Sequence, residues 1–247
     1  VLVTRPRGES ADKLCAAVRA AGFDAHHLPL LVLQSLPVLT SAARAMVQDL
    51  DHYQHVIFIS GNAVRFGMRH IEDYWPQLPV GLNWYAIGSA TGKLLESFAV
   101  RALTPGQDMT SEGLLRLPSL QDVSGERVLI VKGEGGRDTL RRALGARGAR
   151  VDELACYRRC PPTLPPGALA EHLSKARIDT VLISSGEGLA NMLQLLSPAE
   201  TSNVDHLKLV VPSQRIADQA LDAGFTRVMC AENASDAAMI RALEGCR

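Results

Sequence analysis

Residues 55–66 read HVIFISGNAVRF, and residues 180–191 read TVLISSGEGLAN. Each stretch begins as an apolar run typical of a β-strand, reaches Ser-Gly, and continues with the spacing of a helix. A strand, a tight turn and a helix form the basic unit of an α/β protein. Because the same strand–turn–helix unit occurs twice, about 125 residues apart, the chain contains an internal repeat.

The repeat extends over most of the chain. Three further pairs of segments occur in the same order and at nearly the same spacing. They are VLVTRPRGESADKLCAAVRAAG from Val1 with VLIVKGEGGRDTLRRALGARG from Val128 (one small gap), WYAIGSATGKLL from Trp84 with LVVPSQRIADQA from Leu209, and TSEGLLRL from Thr110 with SDAAMIRAL from Ser235. Gly22 and Gly148 stand where a left-handed residue closes a helix.

The repeat predicts the fold class. Its strands are apolar on both faces and alternate with helical segments, which is typical of a parallel sheet covered by helices on both sides. We therefore expect an α/β protein of two similar doubly wound parallel-sheet domains, joined by a two-stranded linker.

Two proline-bearing crossings, residues 27–38 and 151–166, lie at equivalent points of the repeat. A simple tandem would break near residue 125, whereas a swapped arrangement would break at both crossings. Proline resists helix formation, and its pattern favours the swapped arrangement. The prediction is a discontinuous first domain of residues 1–35 plus 165–247, a second domain of residues 38–160, and linker crossings at 36–37 and 161–164.

The composition excludes several classes of function. Lys plus Arg and Asp plus Glu are 26 each, so no net field draws the protein to nucleic acid or to a membrane surface. Aromatic residues are 4%, too few for base-stacking platforms. No apolar run approaches the roughly 18 residues of a spanning helix. The opening VLVTRP is a strand and turn rather than a secretory signal, and we expect a cytoplasmic protein.

The cysteine and histidine patterns predict no metal site and no disulfide framework. Five cysteines with no CxxC pair are an odd and scattered set. His52 and His55 have a ligand-like spacing, but that spacing precedes a strand.

Turns rich in Ser and Gly follow the predicted strands: TRPRG, SGN, GSATG, KGEGG, SSGEG and PSQR. Ligands of parallel α/β sheets bind beyond the carboxyl ends of the strands, and helix N-termini there suit anions. Arg5, Lys132, Arg137 and Arg215 add charge locally. The alternative for Ser60, Ser89 and Ser185 is helix N-capping, which contributes about 1 kcal/mol each. No dinucleotide, P-loop or GxSxG motif is present.

The motifs VTRP, FISGNAV, AIGSATG, KGEGGRD, ACYRR, LISSGEGL and SDAAMIRAL, in this order, resemble the uroporphyrinogen-III synthase family. The resemblance covers essentially the whole chain. It implies a lyase of porphyrin and heme biosynthesis that needs no cofactor. The implied reaction is the cyclisation of hydroxymethylbilane, a linear tetrapyrrole polycarboxylate, with inversion of ring D through a spiro intermediate in the interdomain cleft. A monomer is expected, with transient handover from the preceding enzyme.

The resemblance also implies site residues. Tyr157 in ACYRR and Thr91 in GSATG are the expected catalytic residues. The phenol of Tyr157 keeps its proton at neutral pH and can donate it to a leaving hydroxyl, and Thr91 is expected to bind a carboxylate or the leaving group. The alternative for Tyr157 is a packing role. The expected substrate-binding residues are Arg5, Ser60, Gly61, Asn62, Gly88, Ser89, Ala90, Lys132, Gly133, Ser184, Ser185, Gly186, Ser213, Gln214 and Arg215.

One turn departs from the family pattern. PSQR at residues 212–215 stands where the family often has a Gly-Pro-Thr-Thr-like turn, which weakens the assignments at Ser213, Gln214 and Arg215. The alternative function is a two-lobed protein that binds a small anion without catalysis.

Overall fold

The structure, a computed structural model, describes residues 1–36, 40–197, 200 and 206–245. The chain divides into two compact units. The first unit is Val1–Leu33 with Cys160–Arg247, and the second is Gln34–Arg159.

In chain order the elements are β1 (Leu2–Val3), α1 (Glu9–Ala20), β2 (His26–His27), β3 (Val32–Ser35), α2 (Ser41–Gln48), β4 (His55–Phe58), α3 (Gly61–Glu72), β5 (Asn83–Ala86), α4 (Ser89–Glu96), α5 (Ser111–Leu114), β6 (Arg127–Gly133), α6 (Thr139–Ala146), β7 (Arg150–Cys160), α7 (Ala168–Lys175), β8 (Thr180–Leu182), α8 (Gly186–Leu195), β9 (Lys208–Val211), α9 (Gln214–Asp222), β10 (Arg227–Cys230) and α10 (Asp236–Glu244).

Each unit contains one five-stranded sheet. The order in the first unit is β10-β9-β8-β1-β2, and every neighbouring pair in it is parallel. The order in the second unit is β3-β7-β6-β4-β5, with β7–β6, β6–β4 and β4–β5 parallel. The predicted fold class is confirmed.

Strand register matches the sequence repeat residue by residue. In the first sheet Val181 pairs with Leu2 on one side and Leu209 on the other. In the second sheet Val56 pairs with Leu129 and Trp84, which are the residues that the repeat places opposite Leu2 and Leu209. The first βα unit of each half therefore pairs with the second βα unit of the other half of the chain.

Burial on both faces explains the continuous apolar runs. In the first unit, Val181, Ile183 and Leu209 lie in one core cluster. Leu182 and Val210, which alternate with them, lie in the cluster on the opposite face. Because successive side chains of a strand point to opposite faces, a sheet with a core on each side needs apolar residues at both parities.

The predicted crossings are non-helical wherever the structure describes them. β3 and β7 both belong to the sheet of the second unit, and the Leu36 N–H donates to the Cys156 carbonyl at 3.2 Å. The units divide at residues 33/34 and 159/160, a few residues from the predicted limits. Residues 37–39 lie outside the described residues, and the linker role of 36–37 and 161–164 stays a prediction.

No helix in the part of the chain that the structure describes is both long and apolar enough to cross a bilayer. No group of three or more His, Cys, Asp or Glu side chains there is placed to hold a metal ion.

Gly148 closes α6 in the left-handed region, as predicted, with φ +85°. Its N–H donates to Gly145 O, and the next N–H donates to Leu144 O. A side chain in this conformation is strained by roughly 1–2 kcal/mol, and a Cβ at Gly148 would also lie 3.0 Å from Ser124 Oγ. Gly22 ends α1 in the same way, with φ +83°.

We expect Gly148→Ala to lower the free energy of unfolding by about 1–2 kcal/mol, measured by urea denaturation. Gly145→Ala is the matched control. Gly145 lies inside α6 with open space where a Cβ would stand, so alanine there should raise stability by about 0.4–1 kcal/mol. Equal effects of the two substitutions would contradict the left-handed closure.

Candidate functional site

Each sheet gathers its predicted binding turns at one edge. In the second unit β4, β5 and β6 run parallel, so the turns after them meet at their carboxyl ends. These turns begin at Ser60, Gly88 and Gly133. In the first unit the turns after β1, β8 and β9 share an edge in the same way.

Tyr157 lies near the end of β7 and packs against the turn at Gly133. It pairs with Gly133 across the sheet, next to a register shift between Lys132 and Gly133. Its ring stacks on Phe66 of α3 with centroids 5.2 Å apart, and the residue is 5% exposed. A Cβ at Gly133 would lie 2.6 Å from Tyr157 Cζ. Gly133 is therefore required for the ring to lie where it does.

Ser60 contacts the tyrosine hydroxyl. Ser60 Oγ and Tyr157 Oη are 3.3 Å apart, and either atom can be the donor. Ser60 Oγ also accepts from the Ala63 N–H at 3.0 Å, so Ser60 is the N-cap of α3. Gly61 and Asn62 follow, half-buried, in the first turn of that helix. The structure brings three predicted residues together here: Ser60, Gly133 and Tyr157.

The turn after β5 is shaped by Gly88. Gly88 is the N-cap of α4, and Ser89 is already the first helical residue, so the N-cap alternative for Ser89 is wrong. Ser89 and Ala90 are exposed. A Cβ at Gly88 would lie 3.0 Å from Met109 Sδ, so a side chain here would crowd Met109.

Thr91 is 6% exposed in the first turn of α4. Its hydroxyl makes no hydrogen bond to the residues that the structure describes. α4 packs against α3, and Leu94 of α4 lies 3.6 Å from where a Cβ of Gly61 would stand.

Lys132 is a buried cation at the end of β6. It is 7% exposed, and its Nζ donates to Glu153 Oε1 of β7 at 2.9 Å. Next to Tyr157, burial raises the pKa of the Cys156 thiol to about 12. Cys156 therefore stays protonated at neutral pH and its Sγ donates to the Lys132 carbonyl at 3.2 Å, which fixes the backbone beside Gly133.

In the first unit, Ser184 and Ser185 follow β8 and differ in their contacts. Ser185 Oγ accepts from the Gly188 N–H at 3.1 Å and is the N-cap of α8. Ser184 Oγ is buried and has no hydrogen-bond partner among the described residues. A Cβ at Gly186 would lie 3.2 Å from Gln219 Oε1 and 3.3 Å from Arg215 Nη1. The turns after β8 and β9 are thus in contact.

Ser213 is the N-cap of α9 without a side-chain hydrogen bond. Gln214 is exposed and donates to Asp218 at 2.8 Å. Arg215 is exposed and donates to Gln219 at 3.4 Å.

The predicted cations are mostly neutralised by partners that sequence analysis missed. Arg5 bonds to Asp236 and to the Ala234 carbonyl, and Lys132 bonds to Glu153. Arg137 lies 3.8 Å from Glu112. In the sequence, the one sign of such a partner is Glu153, because a charged residue inside an apolar strand usually needs an opposite charge beside it. The donors left at the turns are chiefly backbone N–H groups and hydroxyls.

We expect Gly133→Ala to displace the Tyr157 ring and to lower the free energy of unfolding by about 1–3 kcal/mol, as overpacking does. Gly61→Ala is the control, since its Cβ would make an ordinary contact at 3.6 Å and should change stability little. Thermal unfolding measures both. A Gly133→Ala protein as stable as wild type would show that Tyr157 moves freely.

The comparisons with known proteins agree with this fold. The family model described as uroporphyrinogen-III synthase HemD matches residues 12–241. The chain is 32% identical over 253 aligned residues to uroporphyrinogen-III synthase of Escherichia coli (strain K12), and the match covers 99% of each chain. It is 31% identical over 251 residues to the Salmonella typhimurium protein of the same name, again with 99% of each chain covered.

Two solved structures share the fold at lower identity. A crystal structure of uroporphyrinogen-III synthetase from Helicobacter pylori 26695 has a TM-score of 0.61 at 15% identity, covering 92% of this chain and 94% of that one. A mutant uroporphyrinogen III synthase from Thermus thermophilus has a TM-score of 0.57 at 19% identity, covering 99% and 100%. On the family match and the bacterial relatives, the chain belongs to the uroporphyrinogen-III synthase family, the cyclising lyases of tetrapyrrole biosynthesis.

Proposed function

We propose that this protein cyclises hydroxymethylbilane to uroporphyrinogen III, inverting ring D and using no cofactor. The observation that carries the proposal is the family match over residues 12–241. The substrate is a linear tetrapyrrole with four acetate and four propionate groups. The proposal includes the predicted binding of this substrate between the two units. It also includes a monomeric cytoplasmic enzyme that receives the substrate from the preceding enzyme.

The turns of both units suit this substrate. Eight carboxylates along a flexible chain need many separate donors rather than one cationic pocket. Helix N-termini and hydroxyls at the strand ends can supply them. Ser184 Oγ, buried without a partner in the described residues, is one such donor. The pairing of Arg5 and Lys132 with carboxylates also argues against a single strong cationic trap.

The proposed reaction needs few catalytic side chains. The hydroxyl of ring A leaves as water after protonation, which creates an azafulvene. The substituted carbon of ring D attacks it and forms a spiro intermediate. That intermediate fragments and recloses at the other carbon of ring D, and a proton is lost. Because ring closure without inversion also occurs spontaneously, the enzyme acts chiefly by holding the two ends in the inverting geometry.

Tyr157 is the proposed proton donor for the departing hydroxyl. Ser60 Oγ accepts from Ala63 N–H, so the Ser60 hydrogen is free to be donated to Tyr157 Oη. In that arrangement the phenol hydrogen remains available for the substrate. Packing on Phe66 and Gly133 holds the ring in one position, which a general acid requires.

Thr91 is proposed to bind a substrate carboxylate or the leaving hydroxyl. Its hydroxyl has no competing partner among the described residues, and it lies at the start of α4, where backbone N–H groups favour an anion.

Incubation with hydroxymethylbilane, followed by separation of the product isomers, tests the function. We expect the inverted isomer in excess over the non-inverted isomer formed without protein. A product mixture identical to that of the spontaneous reaction, with a ligand-dependent rise in melting temperature, would instead support the anion-binding alternative.

We expect Tyr157→Phe to lower kcat by about 10²–10⁴-fold, the usual cost of losing a general acid. The change keeps the ring and its packing, so the melting temperature should change little, and the product should shift toward the non-inverted isomer. Tyr74→Phe is the control, because Tyr74 is an exposed tyrosine and should retain full turnover.

Thr91→Val should also shift the isomer ratio. If Tyr157→Phe keeps full turnover while Thr91→Val does not, the proton comes from Thr91, from a bound water or from the substrate. If both keep full turnover and isomer purity, the backbone turns alone carry catalysis and both side-chain roles are wrong.

A further inference from the structure

A cavity of about 200 Å³ opens beside Lys132 in the second unit. It is lined by Ile59, Ile87 and Lys132 among others. These three residues directly precede Ser60, Gly88 and Gly133, where the three predicted binding turns begin. The cavity therefore adjoins all three turns of this sheet edge.

The cavity combines an apolar wall with one buried charge. Ile130, Leu140 and Met109 complete the wall. The polar part of the lining consists of Lys132 and Glu153 together with Thr110, Ser111 and Arg137. This mixture is typical of small-ligand sites, where apolar surface supplies contact and a few polar groups orient the ligand.

Lys132 has donor capacity that Glu153 does not use. An ammonium group has three donors, and Glu153 is the one hydrogen-bond partner of Nζ among the described residues. The Lys132 side chain is 8% exposed, so water can bond to few of the N–H donors that Glu153 leaves unused. A buried charge without full satisfaction is costly, so a second acceptor at Nζ would be strongly favoured.

Lys132 is the cation at the buried end of the cavity. The lining also carries the Arg137 cation and the Glu153 anion. Arg137 is 74% exposed and lies 3.8 Å from Glu112, outside the buried end. Among the lining residues that the structure describes, Lys132 is thus the only buried cation.

We propose that this cavity binds one carboxylate arm of the substrate, with Lys132 Nζ as the charged donor at its inner end. Glu153 is a positioning residue, which holds Lys132 toward the cavity through the 2.9 Å hydrogen bond. The apolar wall takes the methylene groups of the arm. The identity of the arm as part of a tetrapyrrole rests on the proposed function, whereas the carboxylate site itself does not.

The kinetic test uses two variants of the full chain. Lys132→Met should raise KM about 10- to 100-fold with kcat nearly unchanged, because a charge-assisted bond made in both ground state and transition state is lost. The double variant Lys132→Met/Glu153→Gln should raise KM less, because the cavity then lacks the repelling Glu153 carboxylate. Its melting temperature should stay close to that of wild type, since both charges leave together.

The matched control is Lys175→Met/Glu171→Gln. This pair bridges at 2.6 Å on the exposed face of α7 in the first unit and should leave KM unchanged. The proposal is supported if KM is highest for Lys132→Met, lower for the double variant and lowest for wild type. A fall in kcat and melting temperature in both Lys132 variants, with normal KM, would assign Lys132 to structure alone and overturn it.

A second readout is independent of turnover. Millimolar propionate, titrated into the intact protein, should shift the amide signals of residues 132, 133 and 153 in NMR spectra, whereas neutral propionamide should not. Lys132→Met should abolish the shifts. If the wild-type protein makes no inverted isomer but shows these shifts, the proposed function fails and the carboxylate site stands. If it makes the isomer with no shifts and no change in KM, the carboxylate site fails alone.

Discussion

Parallel strand pairing is the constraint on which the rest of the structure depends. Because β10, β9, β8, β1 and β2 are parallel throughout, and β7, β6, β4 and β5 likewise, every strand of these runs ends at the same edge of its sheet. Helices must return on both faces, which requires strands apolar at both parities. The same geometry leaves the helix N-termini, with their unpaired N–H groups, in a row. The fold therefore gives each unit a row of helix N-termini, whose partial positive charge suits an anion whatever the side chains.

The repeated features of this fold could be predicted from the sequence. The alignment of the two halves matched Val56 with Val181 and Leu129 with Leu2, and the structure then pairs Val56 with Leu129 and Val181 with Leu2. Equal burial patterns at equal spacing give the two sheets the same register. The alignment also located the left-handed closures at Gly22 and Gly148. Contacts between side chains distant in sequence could not be predicted. The charge of Glu153 inside a strand indicated a partner, but the Lys132–Glu153 and Arg5–Asp236 pairs depend on which residues the fold brings together. The N-cap alternative for Ser89 was wrong, because Gly88 is the N-cap of α4. Met109, distant in sequence, lies close to where a side chain at Gly88 would stand.

The candidate chemistry depends on close packing as much as on hydroxyl groups. Tyr157 can lie beside Ser60 only because Gly133 has no Cβ and the strand register shifts at that point. The Cys156 thiol, with its pKa raised to about 12 by burial, stays a donor to the Lys132 carbonyl and holds the same backbone. The proposed acid and the proposed carboxylate site are thus attached to one short stretch of β6, residues 132–133. A shift of this stretch would disturb proton donation and substrate binding together.

The duplication is symmetric in its turns and asymmetric in its chemistry. Ser60 and Ser185 cap equivalent helices, and so do Thr110 and Ser235. Under the same alignment Lys132 corresponds to Arg5, and each is held by a carboxylate. Tyr157, however, corresponds to Leu31, a buried apolar residue. The proposed proton donor therefore has no counterpart in the first unit, so the proton donation proposed for Tyr157 would be a property of the second unit alone.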